Sequence, residues 1–181
     1  MNRREALVLM AAGFTGTIFG ARRMLAGVVG EAEAAPGRIL TDADRVLLNE
    51  VGETILPATA GSGGAKAANV SAFMEDMVAN FYDGKERATF TAGLVQLQAA
   101  SRRTFSGRGY LELTATERHE LLLGLDQAKP PPDYFRMMKQ LATLGYFTSE
   151  IGATMAMAHV AVPGRFQGIV KIPPGTRAWS D

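Results

Sequence analysis

Two histidines, two close carboxylate pairs, nine methionines and a short glycine run are the residues in this sequence whose types and spacing could do chemistry. His119 stands between Arg118 and Glu120 on a charged helical face, where a solvated histidine is the expected reading. His159 has no second histidine at ligand spacing and no cysteine beside it, so it makes a poor metal site by itself. Asp42/Asp44 and Glu75/Asp76 fit helix amino-terminal charge or exposed faces. Met74, Met77, Met137 and Met138 fall at core positions of helices, which makes packing their default role. Gly61-Ser-Gly-Gly64 follows a helix and a proline, so it reads as a flexible linker and not as a phosphate loop.

The 181 residues allow one compact domain with an appendage. At 47% hydrophobic and 20% charged, the chain can bury a core. A net charge of +1 leaves no field that would gather nucleic acid, and Arg102-Arg103 with Arg108 reads more simply as a solvated helix end than as a basic stripe. The sequence contains no cysteine, which excludes disulfides, Cys-ligated zinc or iron-sulfur clusters, and covalently attached c-type haem in this chain.

Residues 1–35 have the layout of an export signal. Arg3-Arg4 precede an apolar run from Ala6 to Ala21, and Ala32-Glu-Ala-Ala35 places small residues at alternate positions. The arginine pair points to the twin-arginine route. An uncleaved Ala6 to Ala21 segment serving as a membrane tether is the alternative, although the run is short of the roughly 20 residues a spanning helix needs. The twin-arginine route carries folded cargo, typically cargo that loads a cofactor first. A chain with no visible cofactor site of its own is therefore expected to carry the address for a partner.

From residue 36 to residue 181 the pattern predicts an all-α bundle of five or six helices with an irregular C-terminal tail. Thr41-Asp-Ala-Asp44 starts the first helix as a capping box, with Leu47, Leu48, Val51 and Ile55 inward and Pro57 as its end. Ala58 to Asn69 is a loop. Ser71 is expected to cap a second helix with two buried rows, Phe73, Met77, Phe81 and Met74, Val78, Tyr82, closed by Asp83-Gly84. A third, from about Lys85 to Phe105, turns Phe90, Leu94, Leu97 and Phe105 inward and leaves Lys85, Glu86, Arg87, Gln98 and Arg102 to solvent. After a turn at Ser106 to Gly109, the capping box Thr114-Ala-Thr-Glu117 opens a fourth helix with Leu121, Leu122 and Leu125 inward. Lys129-Pro-Pro-Pro132 stops it. Asp133 to Leu144 is the fifth, with Tyr134, Met137, Met138, Leu141 and Leu144 inward and Gly145 as its cap. Ile169 to Ile172 is the one short strand the pattern offers.

The last quarter does not suit a helical terminus. From Gly145 to Trp179 it mixes turn residues, aromatics and arginines. Tyr146, Phe147, Phe166 and Trp179 are candidate apolar anchors, and Arg165 and Arg177 are fork-shaped donors, with Glu150 and Gln167 beside them; aromatics and arginine are the types that dominate interfaces.

Five blocks of this chain together resemble the gluconate 2-dehydrogenase subunit 3 family: Asn2-Arg-Arg-Glu-Ala-Leu7, Glu53-Thr-Ile-Leu-Pro-Ala-Thr59, Ala65-Lys-Ala-Ala-Asn-Val70, Leu144-Gly-Tyr-Phe-Thr-Ser-Glu150 running on to Thr154, and Pro163-Gly-Arg-Phe-Gln-Gly168. The last two are the specific ones. The resemblance implies a periplasmic, non-catalytic small subunit of a flavin-dependent dehydrogenase for sugars or sugar acids. It further implies a large partner of the glucose-methanol-choline oxidoreductase type that holds FAD, and a cytochrome subunit that holds haem c. The small subunit would assist folding, twin-arginine export and stability of the large one, at the outer face of the inner membrane. No cofactor is expected in this chain. The competing reading is a stand-alone periplasmic sugar-binding protein or enzyme, with Glu150, His159 and Arg165 lining a pocket.

Overall fold

The computed structural model describes residues 39–160, 162, 164, 169 and 171–180. The export-signal reading, with Arg3 and Arg4, and the tail residues Arg165, Phe166 and Gln167 lie outside the described residues.

The chain is all-α, with five α-helices among the described residues, three of them started by a local capping box. In α1, Asp42–Ile55, the Thr41 hydroxyl accepts from Asp44 N at 3.1 Å while the Asp44 carboxylate accepts from Thr41 N at 2.9 Å. Leu47, Leu48 and Val51 are buried on its inner face. Helix α2 spans Val70–Phe81. Ser71 does not cap it. Asn69 holds that position in the left-handed region, φ 50°, and Ser71 is buried one residue inside the helix.

Helix α3 spans Gly84–Thr104, and Asp83 starts it as well as following α2. The Asp83 carboxylate accepts from Glu86 N at 2.7 Å, and the Glu86 carboxylate accepts from Asp83 N at 3.1 Å. Phe90, Leu94 and Leu97 are buried as the spacing predicts. Two side chains assigned to solvent are in use. The Gln98 side-chain oxygen accepts from Tyr110 N at 3.0 Å, and the half-buried Arg87 donates to the Tyr82 carbonyl at 3.0 Å.

A short 3-10 turn, Tyr110–Glu112, then brings Tyr110 into the core, where its hydroxyl donates to Thr54 Oγ1 at 2.9 Å. Helix α4, Ala115–Gln127, carries the expected Thr114/Glu117 capping box and buries Leu121 and Leu122. Its charged face leaves His119 exposed.

Helix α5, Asp133–Phe147, packs against the other four and is the centre of the bundle. It runs one turn further than its sequence predicts, because Gly145 is not its cap. A Cβ at 145 would stand 2.6 Å from Phe73 Cδ1, so the missing side chain lets α2 press on the last turn of α5. The inward set also differs from the predicted one. Phe135, Ala142 and Tyr146 join Tyr134, Met138 and Leu141 in the core, and Leu144 faces outward.

The row Phe73, Met77, Phe81 is also less buried than its spacing implies. Met74 and Val78 are fully covered, Phe73 and Met77 are half-buried, and Phe81 is exposed. Nor is Glu75 on an exposed face. Its carboxylate accepts from Arg45 Nη2 at 2.5 Å and from Leu40 N at 3.2 Å, which fastens α1 to α2.

Beyond α5 a π-turn, Gly152–Ala156, leads to a two-residue parallel pairing of β1, Ala158–His159, with β2, Trp179–Ser180. Ile169, Lys171 and Ile172, the expected strand, are not in strand conformation.

Candidate partner-binding surface

The tail is held at its root by groups far apart in the sequence. Tyr146 lies on the buried side of α5, and its hydroxyl meets the Ser62 hydroxyl and the Gly63 carbonyl, each at 2.7 Å. Tyr146 is therefore committed inside its own domain; burial removes it from the set of side chains that a partner could touch. The glycine run it meets is likewise built in. Thr59 and Ser62 pair backbone to backbone, and the Glu53 carboxylate accepts from Ala58 N and Lys66 N, each at 2.9 Å. A loop that satisfies its polar groups this way is anchored at both ends, which corrects the flexible-linker reading.

Phe147 is half-buried and meets the Tyr146 ring edge-on, with centroids 5.1 Å apart. After it, the Ser149 hydroxyl donates to the Tyr146 carbonyl at 2.6 Å and accepts from Gly152 N at 3.1 Å. This closes a tight reversal in which Gly152 has no room for a side chain: a Cβ there would be 2.7 Å from the Tyr146 carbonyl carbon and 2.9 Å from Phe147 Cα.

The other end of the tail returns to this root. The Arg177 guanidinium donates to the Met155 carbonyl at 2.7 Å, and Ala158 N donates to the Ala178 carbonyl at 2.7 Å. Glu150 and His159 are exposed, with Ile151 and the π-turn between them in sequence. Trp179 is 55% exposed.

The tail is also where uncovered apolar area concentrates. Met155, Val160, Val162, Ile169, Ile172 and Trp179 are six of the twelve exposed large hydrophobic side chains among the described residues, with exposures reaching 96% at Ile169. Single exposed apolar residues need no explanation, but half of the twelve fall on this one segment. Spacing gave no warning of the four aliphatic side chains beyond the π-turn, because an irregular backbone imposes no period to read.

Titration is shifted in the scaffold. The Lys66 ammonium hydrogen-bonded to Glu50 holds that carboxyl below its ordinary range, and the Arg118 guanidinium adds to the effect. Arg108, with Thr114, brings Glu117 down to about 2. Burial pushes the Tyr110 phenol up to about 12. These groups pin the α1, α3 and α4 ends together. Among the described residues, no group of three or more His, Cys, Asp or Glu is placed to hold a metal ion, and no helix is long and apolar enough to cross a membrane.

The family model described as gluconate 2-dehydrogenase subunit 3 matches residues 42–164, from the first turn of α1 to Gly164 in the tail. The chain belongs to the gluconate 2-dehydrogenase subunit 3 family. No curated protein and no solved structure matches it. The matched stretch covers every described helix of this subunit 3 family member, the Tyr146 anchor and the π-turn, and stops short of Ile169, Ile172 and Trp179. A family named as a numbered subunit is one whose members work inside a complex of several chains.

Proposed function

We infer that this chain is the non-catalytic small subunit of a flavin-dependent sugar or sugar-acid dehydrogenase of the glucose-methanol-choline type. Its family membership carries the reading. The concentration of exposed apolar side chains on the tail supports it, since an accessory subunit needs a surface that is completed by another chain.

On this reading FAD and the hydride chemistry reside in the large subunit, and haem c in a cytochrome subunit that takes the electrons onward. The small chain assists folding and stability of the large one. It supplies the twin-arginine signal that brings both to the periplasm, at the outer face of the inner membrane. The Arg3-Arg4 pair and the absence of cysteine support that route, because the domain folds by packing alone before export.

Co-expression of the large flavoprotein subunit with and without this chain tests the reading. The expected result is that the large subunit reaches the periplasm soluble and active only when this chain is present. Full export and activity in its absence would refute the accessory role. Sugar oxidation by the purified small chain alone would replace it with an enzyme built on Glu150, His159 and Arg165.

A further inference from the structure

The helical core of this protein stops at the π-turn: among the described residues, no apolar side chain beyond Ala156 is buried in it or packed on it. The chain becomes extended at Met157, so no further helical turn supplies a donor to the Met155 carbonyl. That donor comes instead from Arg177, 22 residues on, whose guanidinium reaches the carbonyl oxygen at 2.7 Å. A cationic side chain on the last carbonyls of a helical stretch acts as a C-terminal cap, here supplied from a distance. Arg177 is presented by a turn that is stiff in its own right. Pro174 and Gly175, the latter at φ 82°, occupy the second and third places of a type II turn, and Thr176 closes it, with its N–H donating to the Pro173 carbonyl at 3.2 Å and its hydroxyl to the same oxygen at 2.8 Å. Immediately after Arg177 come Ala178, whose carbonyl accepts from Ala158 N at 2.7 Å, and β2.

We propose that Arg177 is the latch of a strap: Pro173 to Ser180 lifts from the π-turn and recloses as one unit while the helical bundle stays folded. A parallel pairing of two residues is too short to persist by itself, and parallel ladders are the weaker kind. Arg177 ties the strap to the π-turn, whereas the pairing ties it only to β1, which is itself outside the core. The strap adds no apolar side chain to that core, so lifting it breaks hydrogen bonds and exposes little buried area. Segments of that description open at a free energy well below that of global unfolding. Lifting uncovers the Met155 carbonyl and the backbone of Ala158 and His159, polar groups that the closed form satisfies within the chain. The device belongs to the chain alone, whatever partner it meets.

Amide hydrogen exchange on the full chain tests the latch, read at Ala158, whose N–H the strap covers, and at Leu141 in the core of α5. In the native chain Ala158 is expected to exchange about a hundredfold faster than Leu141 or more, by local opening. Arg177→Ala is expected to speed Ala158 a further three- to tenfold, about the worth of one hydrogen bond, and to leave Leu141 unchanged. Lys171→Ala, in the same exposed stretch, is expected to exchange like the native chain. The chain's one tryptophan, Trp179 in β2, gives a second readout. Its quenching by acrylamide should rise in Arg177→Ala while helicity and melting temperature stay native. If Ala158 exchanges no faster than Leu141 in the native chain, the strap does not open by itself and the proposal falls. It falls equally if Arg177→Ala leaves Ala158 and Trp179 as they were, or if the substitution speeds Leu141 by the same factor as Ala158, since Arg177 would then hold the whole fold.

Discussion

The hydroxyls of Tyr146 and Ser62 stand 2.7 Å apart across 84 residues of sequence, joining the last turn of α5 to the loop between α1 and α2. Tyr146→Phe keeps the ring and removes the oxygen, leaving the Ser62 hydroxyl and the Gly63 carbonyl with the 3.2 Å hydrogen bond they make to each other. The expected loss is about 1 kcal/mol, that of an ordinary hydrogen bond rather than of an unsatisfied buried group. Urea unfolding of the two proteins checks it, and an unchanged midpoint would mean that water replaces the phenol.

Gly152→Ala places a methyl group against the Tyr146 carbonyl and Phe147 Cα, both backbone, so no rotamer change relieves it. The turn must open. A cost of about 2–4 kcal/mol is expected, at the high end for single substitutions. Limited proteolysis should show earlier cleavage beyond residue 152 than in the native chain, while the helical body persists.

Glu53→Gln tests the loop clasp. One carboxylate oxygen accepts from Ala58 N and the other from Lys66 N, and a carboxamide has an acceptor for one of these only. The expected destabilisation is about 1–2 kcal/mol. The amides of Ala58 and Lys66 should exchange with deuterium faster in the variant, and unaltered exchange at both would refute the assignment.

At alkaline pH the sign follows from Tyr110. Its folded phenol holds the proton up to about 12, above the ordinary value of 10, so the folded state binds more protons in that window. Stability is full below pH 10 and falls as pH rises toward 12. Tyr110→Phe should flatten that slope, as followed by thermal melts across pH 9–12. On the acid side Glu50 behaves in the opposite sense: its lowered pKa means stability present above the ordinary carboxyl range and lost as pH falls through it, and Glu50→Gln should blunt that limb.

Features written in short-range partners were readable from sequence. Thr41 and Thr114 each have their acidic partner three residues on, and both boxes form. Asp83-Gly84 was equally local but ambiguous, since a turn signal that ends one helix also starts the next. What sequence could not supply was which neighbour each face meets. Gly145 looks like a cap until Phe73 is placed against it. Tyr146 looks like an interface aromatic until the Ser62 loop is brought over it. The two rows of α2 are equally apolar, and only the packing of the other helices decides that Met74 is covered while Phe81 is not.

The pairing of Ala158 with Trp179 fixes the two ends of the tail beside each other before any partner arrives. A free segment of that length would lose much of its configurational freedom on docking, and the cost of bringing its ends together grows with the logarithm of the loop length. Here that part of the ordering has already taken place in the isolated subunit. On the accessory-subunit reading, association draws less on entropy for that reason.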